Sequence, residues 1–392
     1  MKRYFLLLVA TLFVGSTFAQ NAPYRDNVLL YDARPMRRSI ILPQIDGFNC
    51  YKADLHVHTI FSDGNLSPDE RVDEAWQDGL DILAITDHIE TRRQERSMLK
   101  FLKGYSPDKK GFEPVNTRCS RGVPADERGI LSDLNYSTEI AREHAAAKYP
   151  ELFIIKGTEI SREPVNFGHF NALFTKDNNS IYVVDNAQAI RNARAQGAII
   201  IHNHPGWERT TTDKNDFHKQ IYAEGLIDGV EITNGIVFYP KIVERCIKEK
   251  LFMVSATDIH KSTSSLQSRG FFRPMTLIFA KKNDERGIRE ALLARRTLGY
   301  CGGNVIGEIS LLEKFFKASV TATLASESKN KMNIVLKNSS SIPYSLSING
   351  RAYSLEALSE ISISVKDKIS VTVHNMIHVD YQHPTFELDI KR

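Results

Sequence analysis

The sequence is poor in cysteine and has almost no excess of charge. Its 392 residues include four cysteines, Cys50, Cys119, Cys246 and Cys301. Without a Cys-x-x-Cys pair, they form neither a dense disulfide framework nor a thiolate zinc site, and any pairing among them stays open. The formal net charge is +4. That value, with no basic stretch interleaved with aromatic residues, argues against an extended nucleic-acid groove.

Long hydrophobic runs are absent after the N-terminus. The chain begins with the basic residues Lys2 and Arg3, continues with an apolar stretch over Tyr4 to Val14, and reaches small residues at Ser16 to Ala19. This pattern predicts a secretory signal over residues 1–19 that is cleaved, because the apolar stretch is too short to span a bilayer. We therefore expect an exported protein, periplasmic or extracellular, without a membrane span.

The rest of the chain is long enough for more than one domain. Residues 20–50 are polar and rich in arginine, which predicts an N-terminal arm, and residues 51–307 alternate apolar runs with helical patterns. From Glu308 onward short alternating strands predict a small all-β sandwich over residues 308–392, with Asn349-Gly350 as a hairpin signal. The sequence leaves open whether this part binds carbohydrate, a cell surface or only the preceding domain.

One stretch, Asp54-Leu-His-Val-His-Thr-Ile-Phe-Ser-Asp-Gly64, concentrates groups that can bind metal. Strand side chains alternate between faces, so His56 and His58 point the same way. Asp63 follows where Asp-Gly turn chemistry ends the strand. A single His-x-His pair is common by chance, and further ligands must come from elsewhere in the chain.

Metal-capable residues recur at the ends of later apolar runs. They are His88, Glu159, His169, His204, Asp258 and His260, with His202 as an alternative to His204. Side chains at the ends of successive strands meet at one rim of a (β/α) barrel, where active sites of that fold lie. The sequence therefore predicts an α/β barrel whose rim carries a cluster of imidazoles and carboxylates.

These motifs resemble those of the polymerase and histidinol phosphatase (PHP) superfamily. The resemblance covers residues 51–304 and rests on the segments His56-Val-His58, Ser62-Asp63-Gly64, Thr86-Asp87-His88, Glu159, His204-Pro205 and Asp258-Ile-His260. It implies a distorted, TIM-like (β/α)7 barrel that holds two or three divalent ions and hydrolyses phosphate esters. Imidazole and carboxylate ligands without thiolate suit Zn, Mn or Fe.

The resemblance also implies how the ligands are shared among three metal sites. The first comprises His56, His58, Glu159 and Asp258, the second comprises Glu159, His169 and His204, and the third comprises Asp63, His88 and His260. Asp63 stands where some relatives have a histidine, which gives the third site a harder character. Asp258 or a nearby histidine such as His204 is the candidate for proton transfer.

The segment from Glu90 to Tyr136 is too long and polar for an ordinary barrel loop, which predicts an insertion beside the metals. Its Arg92 and Arg93 are candidates to bind phosphate, since guanidinium matches phosphate geometry. Arg96 and Arg162 are weaker candidates. Arg273 carries no signal beyond that of a surface arginine.

The sequence thus predicts an exported metal-dependent phosphoesterase that hydrolyses small-molecule phosphate esters through a metal-bridging hydroxide, with a phosphodiester slightly preferred. A phosphomonoesterase, a hydrolase of another ester or amide bond, and a nucleic-acid exonuclease are the enzymatic alternatives. A non-enzymatic surface-binding protein led by the β-sandwich is the alternative of another class. The oligomeric state stays open.

Overall fold

The computed structural model describes residues 36–91, 93–105, 133–161, 167–183, 185–268, 270–329, 331–366 and 368–392. The predicted signal, Cys119, Arg92 and Arg162 lie outside these ranges. Within them, no helix combines the length and apolar character needed to cross a bilayer. Cys50, Cys246 and Cys301 are free thiols.

Seven strands form a curled sheet around the predicted rim. They are Asn49–Asp54 (β1), Ile82–Ile85 (β2), Phe153–Ser161 (β3), His169–Leu173 (β4), Ile199–Asn203 (β5), Gly229–Asn234 (β6) and, after the short strand Val237–Phe238 (β7), Phe252–Ala256 (β8). Their order is β1-β2-β3-β4-β5-β6, with β8 next to β6. The sheet curls back on itself through the parallel bridge Val57–Ile259 and the hydrogen bond from Asp258 N to His56 O, 2.9 Å long.

Strand β4 departs from the parallel pattern of a regular (β/α) barrel. It pairs antiparallel with β3 through Ser161 and His169, and antiparallel with β5. Because β4 runs in the opposite direction, its first residue, His169, lies at the same rim as the last residues of β3 and β5. The distortion therefore keeps His169 among the other predicted ligands.

Helices follow most of the strands. They are Pro68–Gln77 (α1), Glu95–Tyr105 (α2), Tyr136–Lys148 (α3), Asn186–Ala195 (α4), Asp216–Ala223 (α5), Pro240–Glu249 (α6), Ser264–Gln267 (α7), Glu285–Leu293 (α8) and Ile309–Ser319 (α9). In α1, Ser67 precedes the proline at the first turn, and its N–H donates to the Glu70 carboxylate at 2.8 Å. A serine before a proline in the first turn is a typical start of a helix, so the sequence itself marks where α1 begins.

Helix α2 occupies part of what the sequence presents as an irregular insertion. Its buried Met98 and Leu102 are four residues apart and pack against Ile60 and Phe61. The insertion thus covers the loop that carries Asp63. Residues 106–132 lie outside the described ranges.

An antiparallel extension continues the large sheet beyond β1. It consists of Met275–Ala280 (β9), Thr297–Cys301 (β10) and Asn304–Ile306 (β11). Strand β9 pairs with β1, and β11 pairs in parallel with Met376–Ile377, a strand from the C-terminal part of the chain. That part, residues 308–392, is called the C-terminal module below.

The C-terminal module contains two four-stranded sheets. Its strands are Val320–Ser328 (β12), Lys331–Asn338 (β13), Tyr344–Ile348 (β14), Arg351–Leu355 (β15), Glu360–Val365 (β16), Ile369–Val373 (β17), Met376–Ile377 (β18), Thr385–Leu388 (β19) and Ile390–Lys391 (β20). The sheet orders are β16-β13-β12-β20 and β15-β14-β17-β19. Asn349 and Gly350 have φ values of 51° and 77°, which is the turn that the Asn-Gly signal predicts between β14 and β15.

Candidate metal centre at the barrel rim

The nine side chains that the sequence nominates as metal ligands meet at one end of the barrel. Glu159 lies at the centre of one half. Its Oε1 is 3.2 Å from His169 Nδ1 and 3.5 Å from His204 Nε2, and its Oε2 is 2.9 Å from His88 Nδ1. Side chains from the ends of three other strands therefore converge on a single carboxylate.

Asp258 occupies the corresponding position in the other half. Its Oδ1 lies 3.0 Å from His58 Nε2 and 3.3 Å from His56 Nε2. Asp63 Oδ1 is 3.2 Å from His260 Nε2 and 3.7 Å from His58 Nδ1. The two histidines of the His-x-His segment thus connect both halves of the cluster, with their Nε2 atoms 3.1 Å apart.

The side chains divide into three overlapping groups whose ligand atoms lie within 4.8 Å of one another. These groups are His58, Asp63, His88 and His260; His56, Glu159 and His204; and His56, His58 and Asp258. The division differs from the one implied by family resemblance in four respects. His58 also joins the group around Asp63, and His56 also joins the group of Glu159 and His204. Glu159 is not in the group with Asp258, and His169 contacts Glu159 without belonging to a group.

The donor atoms of this cluster are suited to divalent cations. Asp63 Oδ1 and Glu159 Oε2 are buried and accept no hydrogen bond from the described residues, although imidazole nitrogens lie near both. A buried anionic oxygen without a hydrogen bond is costly unless a cation balances it. The residues present therefore fit metal ions bound by nitrogen and oxygen.

The carboxylates stay ionised because imidazoles surround them. Burial favours the neutral form of Glu159, but His88 and His56 outweigh it and hold the pKa of Glu159 well below its usual range. Burial likewise opposes ionisation of Asp258, and His56 and His58 lower its pKa despite that. Ionised carboxylates are the form that a metal requires.

The imidazoles differ in pKa because their neighbours differ. Burial, with the charges of His260 and His88 nearby, lowers the pKa of His58 to about 4. For His88, burial is outweighed by the Glu159 carboxylate, which raises the pKa to about 9. At neutral pH His58 is thus already in the neutral form that binds metal, whereas a metal at His88 must displace a proton.

Two of the ligand candidates have unusual backbone conformations. His204 and Asp258 have φ values of 23° and 52°, in the left-handed region that residues other than glycine rarely adopt. Such strain is concentrated at functional sites. At His204 it also interrupts the strand alternation: Asn203 faces the cluster and donates to Glu159 Oε1 at 2.9 Å, and the turn then directs His204 to the same side.

His202, the alternative ligand, faces the other way. Its ring packs against His218 at 4.6 Å between centroids and against Phe170 at 4.9 Å, and its Nδ1 lies 2.9 Å from the Tyr222 hydroxyl. The geometry thus separates the two histidines, and only His204 reaches the cluster.

Comparison with known proteins agrees with this arrangement. The PHP domain model matches residues 54–354. The chain belongs to the PHP domain family. The match continues past residue 307, where the sequence alone placed the end of the barrel, into the C-terminal module. None of the curated proteins matches the chain.

Several solved structures are similar to this chain. A two-domain protein from Bacteroides vulgatus containing a predicted PHP-like metal-dependent phosphoesterase is 30% identical, covers 91% of this chain and 99% of that chain, and superimposes with a TM-score of 0.76. An amidohydrolase from Chromobacterium violaceum with bound sulfate is 13% identical over 54% of this chain and 88% of that chain, with a TM-score of 0.35. Endonuclease Q in complex with a 27-mer duplex is 14% identical over 66% of this chain and 60% of that chain, with a TM-score of 0.39.

A buried carboxylate lies behind the candidate ligands. Glu231 Oε1 lies 2.8 Å from His56 Nδ1, and Glu231 Oε2 accepts from the backbone N–H of His204 at 2.6 Å. A carboxylate on the far nitrogen of a metal-binding histidine fixes its tautomer and orientation. The position of Glu231 within an apolar strand is the sequence signal for this role.

Further buried groups hold the loop that carries Asp63. The Asp87 carboxylate accepts from Thr59 N and from Ser62 Oγ, both at 2.7 Å. A Cβ added at Gly64 would lie 2.4 Å from His58 O, so only glycine permits this close approach. Asp87 and Gly64 are therefore the residues of the family motifs that shape the site without belonging to the ligand groups.

Arg273 is buried, contrary to the expectation of a surface position. Its guanidinium is 1% exposed and lies 2.9 Å from Asp54 Oδ2 and 3.3 Å from Asp78 Oδ2. Asp54 in turn accepts from the hydroxyl of Thr257 at 2.6 Å. The arginine thus ties the first strand to the residue before Asp258, a role that no local sequence pattern indicates.

Of the arginines proposed to bind phosphate, Arg93 is the one whose side chain the structure describes. Arg93 is exposed on the turn before α2. Arg92 and Arg162 lie outside the described residues, as does the side chain of Arg96. Their role in substrate binding stays a prediction.

Proposed function

We propose that this PHP protein is an exported metal-dependent hydrolase of small-molecule phosphate esters, with a preference for phosphodiesters. The observation that carries the proposal is the convergence of the nine nominated side chains, among which two buried carboxylate oxygens accept no hydrogen bond from the described residues. The likeness to the Bacteroides vulgatus protein over nearly the whole of both chains supports the same reaction class.

The three groups of side chains would each hold one divalent ion, with Zn, Mn or Fe best suited to the donor set. His169 would complete the group around Glu159, because its Nδ1 is 3.2 Å from Glu159 Oε1. Ions bound there would make water a stronger acid and would neutralise charge on the phosphoryl oxygens during in-line displacement.

The chain itself contributes orientation and proton transfer. Asn234 Nδ2 lies 3.0 Å from Glu231 Oε2 and 3.4 Å from Asp258 Oδ2, which restrains the Asp258 carboxylate. Asp258 Oδ2 and His204 Nε2 are 3.9 Å apart. An ionised Asp258 next to this imidazole is the group best placed to accept a proton from the attacking water.

The charge of the site supports a preference for a diester. The three groups and their hydrogen-bonding partners Glu231, Asn203 and Asp87 contain no lysine. A phosphodiester carries one negative charge where an ionised monoester carries two, so it needs fewer cationic side chains. A phosphatase for monoesters is the second candidate, since arginines outside the described residues could supply that charge.

The decisive variant is Glu159→Gln, which removes the charge but keeps the shape of the central residue. With bis(p-nitrophenyl) phosphate as substrate we expect a loss of about 10³-fold in kcat/KM, because metal stabilisation of the transition state is worth several kcal/mol. Glu244→Gln, at an exposed position on α6, is the matched control and should retain full activity. Equal rates for wild type and Glu159→Gln would contradict the proposal.

The competing substrate classes are separated by parallel assays. Rates with p-nitrophenyl phosphate and p-nitrophenyl acetate, measured on the same metal-loaded protein, distinguish a diesterase from a monoesterase and from a carboxylic ester hydrolase. Export is tested separately by the N-terminal sequence of the protein recovered from its native cells, which should begin after residue 19.

A further inference from the structure

Trp207 is a large apolar side chain beside the ligand cluster. It is 40% exposed, and its ring centroid lies 5.1 Å from that of His169 and 5.4 Å from that of His204. Both imidazoles contact Glu159. The indole therefore covers the edge of the metal-binding cluster on one side and is accessible from solvent on another.

The loop that carries Trp207 is held in place by local contacts. The backbone N–H of Trp207 donates to His204 O at 2.9 Å. The Arg209 guanidinium donates to Pro205 O at 3.2 Å and to Asp213 O at 2.6 Å. A Cβ added at Gly206 would lie 2.8 Å from the ring of Tyr239, so the loop packs closely on that ring. The backbone that carries the indole is consequently held in place before any ligand binds, which lowers the entropic cost of using the side chain.

Other apolar side chains are exposed at the same rim. Ile236 and Val237 are 49% and 50% exposed and follow Asn234, whose amide is 3.4 Å from Asp258. Exposed apolar side chains next to a polar, charged site are typical of a binding mouth that contacts the apolar part of a ligand. A phosphate group alone would gain nothing from them.

We propose that Trp207 is a substrate-binding residue that stacks on a planar aromatic or heteroaromatic ring attached to the phosphate of the substrate. The inference rests on the proposed function, because it places the phosphate on the cluster formed by His169, His204 and Glu159. An indole stacks on any flat ring with little dependence on its substituents, so Trp207 selects the shape of the group and not its hydrogen-bonding pattern. The substrates favoured are therefore esters with a ring close to phosphorus.

The kinetic test compares two diesters that share a leaving group. Bis(p-nitrophenyl) phosphate keeps a second ring after cleavage, whereas methyl p-nitrophenyl phosphate has a methyl group in its place. In Trp207→Ala we expect the ratio of kcat/KM between the two to fall about tenfold, mainly through KM, and Trp207→Phe should restore most of it. Leu293→Ala, which truncates a 55% exposed leucine on α8, is the control and should leave the ratio unchanged.

A purely structural role for Trp207 predicts a different result. If the indole only orients His169 and His204, Trp207→Ala lowers kcat for both diesters by the same factor and leaves their ratio unchanged. That result would overturn the proposal.

A binding test separates this inference from the proposed reaction. The chain has two tryptophans, so Trp76→Phe makes Trp207 the sole indole, and the remaining phenyl ring can still pack on Tyr149, whose ring is 4.4 Å from that of Trp76. Phenylphosphonate should change the emission of Trp207 in the metal-loaded protein at concentrations where methylphosphonate does not. Equal responses to the two phosphonates would refute the stacking, even if the protein hydrolyses diesters. A selective response in a protein that hydrolyses no phosphate ester would refute only the reaction.

Discussion

At the rim of the PHP barrel, charged side chains are buried together, whereas in the C-terminal module polar side chains alternate outward along the strands. His56, His58 and Glu159 are 0–1% exposed and face one another. Along β17, by contrast, Ile369, Val371 and Val373 are buried while the residues between them are not. None of the three ligand groups found among the described residues includes a residue beyond His260.

The difference shows which local rules each region follows. The C-terminal module obeys the strand period, so its stability comes from apolar burial with exposed hydroxyls and charges on the outer faces. The rim breaks these rules with buried charge and left-handed residues such as His204 and Asp258. Departures of this kind are expected where function and not stability sets the residue.

The largest expected effect on stability is in the C-terminal module. Phe316 on α9 is fully buried, and its ring lies 5.2 Å from that of Tyr344 and 5.7 Å from that of Phe386. Phe316→Ala should lower the free energy of unfolding by about 3–5 kcal/mol through lost contacts and a cavity. Urea unfolding followed by circular dichroism measures this.

Under native conditions the same variant should keep the metal content and kcat of the wild type. Ile309→Ala, at a half-exposed position of α9, is the control and should change stability little. A loss of bound metal in folded Phe316→Ala would contradict the claim that the C-terminal module affects stability without affecting the metal-binding rim.

The loss of stability at acid pH should arise in the barrel. His218 on α5 is fully buried, and burial, with Arg209 nearby, lowers its pKa to about 4. The unfolded chain binds this proton near pH 6.5, so between pH 6.5 and 4 the unfolded state holds more protons and stability falls as pH falls. The loss should approach about 3 kcal/mol at the acid end of that window.

Urea unfolding of the chelator-treated protein at several pH values tests this. His218→Gln should show a smaller decrease in stability between pH 6.5 and 4 than the wild type. His374→Gln, at an exposed position in the C-terminal module, should follow the wild type. Identical pH profiles for His218→Gln and wild type would show that the acid sensitivity lies elsewhere.

A smaller effect is expected from the carboxylate behind the ligands. Glu231→Gln removes the charge that faces His56 Nδ1 at 2.8 Å, and should weaken metal affinity or activity by about 10–100-fold. Competition with a chromophoric chelator measures the affinity. Glu360→Gln applies the same change to an exposed strand residue of the C-terminal module and should have no effect.

The sequence predicted the site better than it predicted the path of the chain around it. Candidate ligands such as His56 and Asp258 can be recognised in the sequence because each lies at or just after the end of an apolar run. The reversed direction of β4 is set by its neighbours in the sheet and leaves no mark in the segment itself. Nothing local announces that Arg273 is buried against Asp54, since the pairing depends on residues more than 200 positions apart.

Two features of the structure have a recognisable signal in the sequence. Met98 and Leu102 are four residues apart within the polar insertion, and this helical spacing predicts α2 even though the neighbouring residues are charged. Trp207 follows His204-Pro205-Gly206 directly, and its proximity to a ligand was visible in the sequence. Its orientation toward His169 was not, because that depends on the turn at His204.

The central claim is that the clustered imidazoles and carboxylates bind several divalent cations, and elemental analysis of the purified protein tests it most directly. After incubation with Zn, Mn or Fe(II) and removal of excess metal, the account predicts two or three ions per chain in the wild type and fewer in Glu159→Gln, with Glu244→Gln unchanged. Less than one ion per chain in the folded wild type under all three conditions would contradict it.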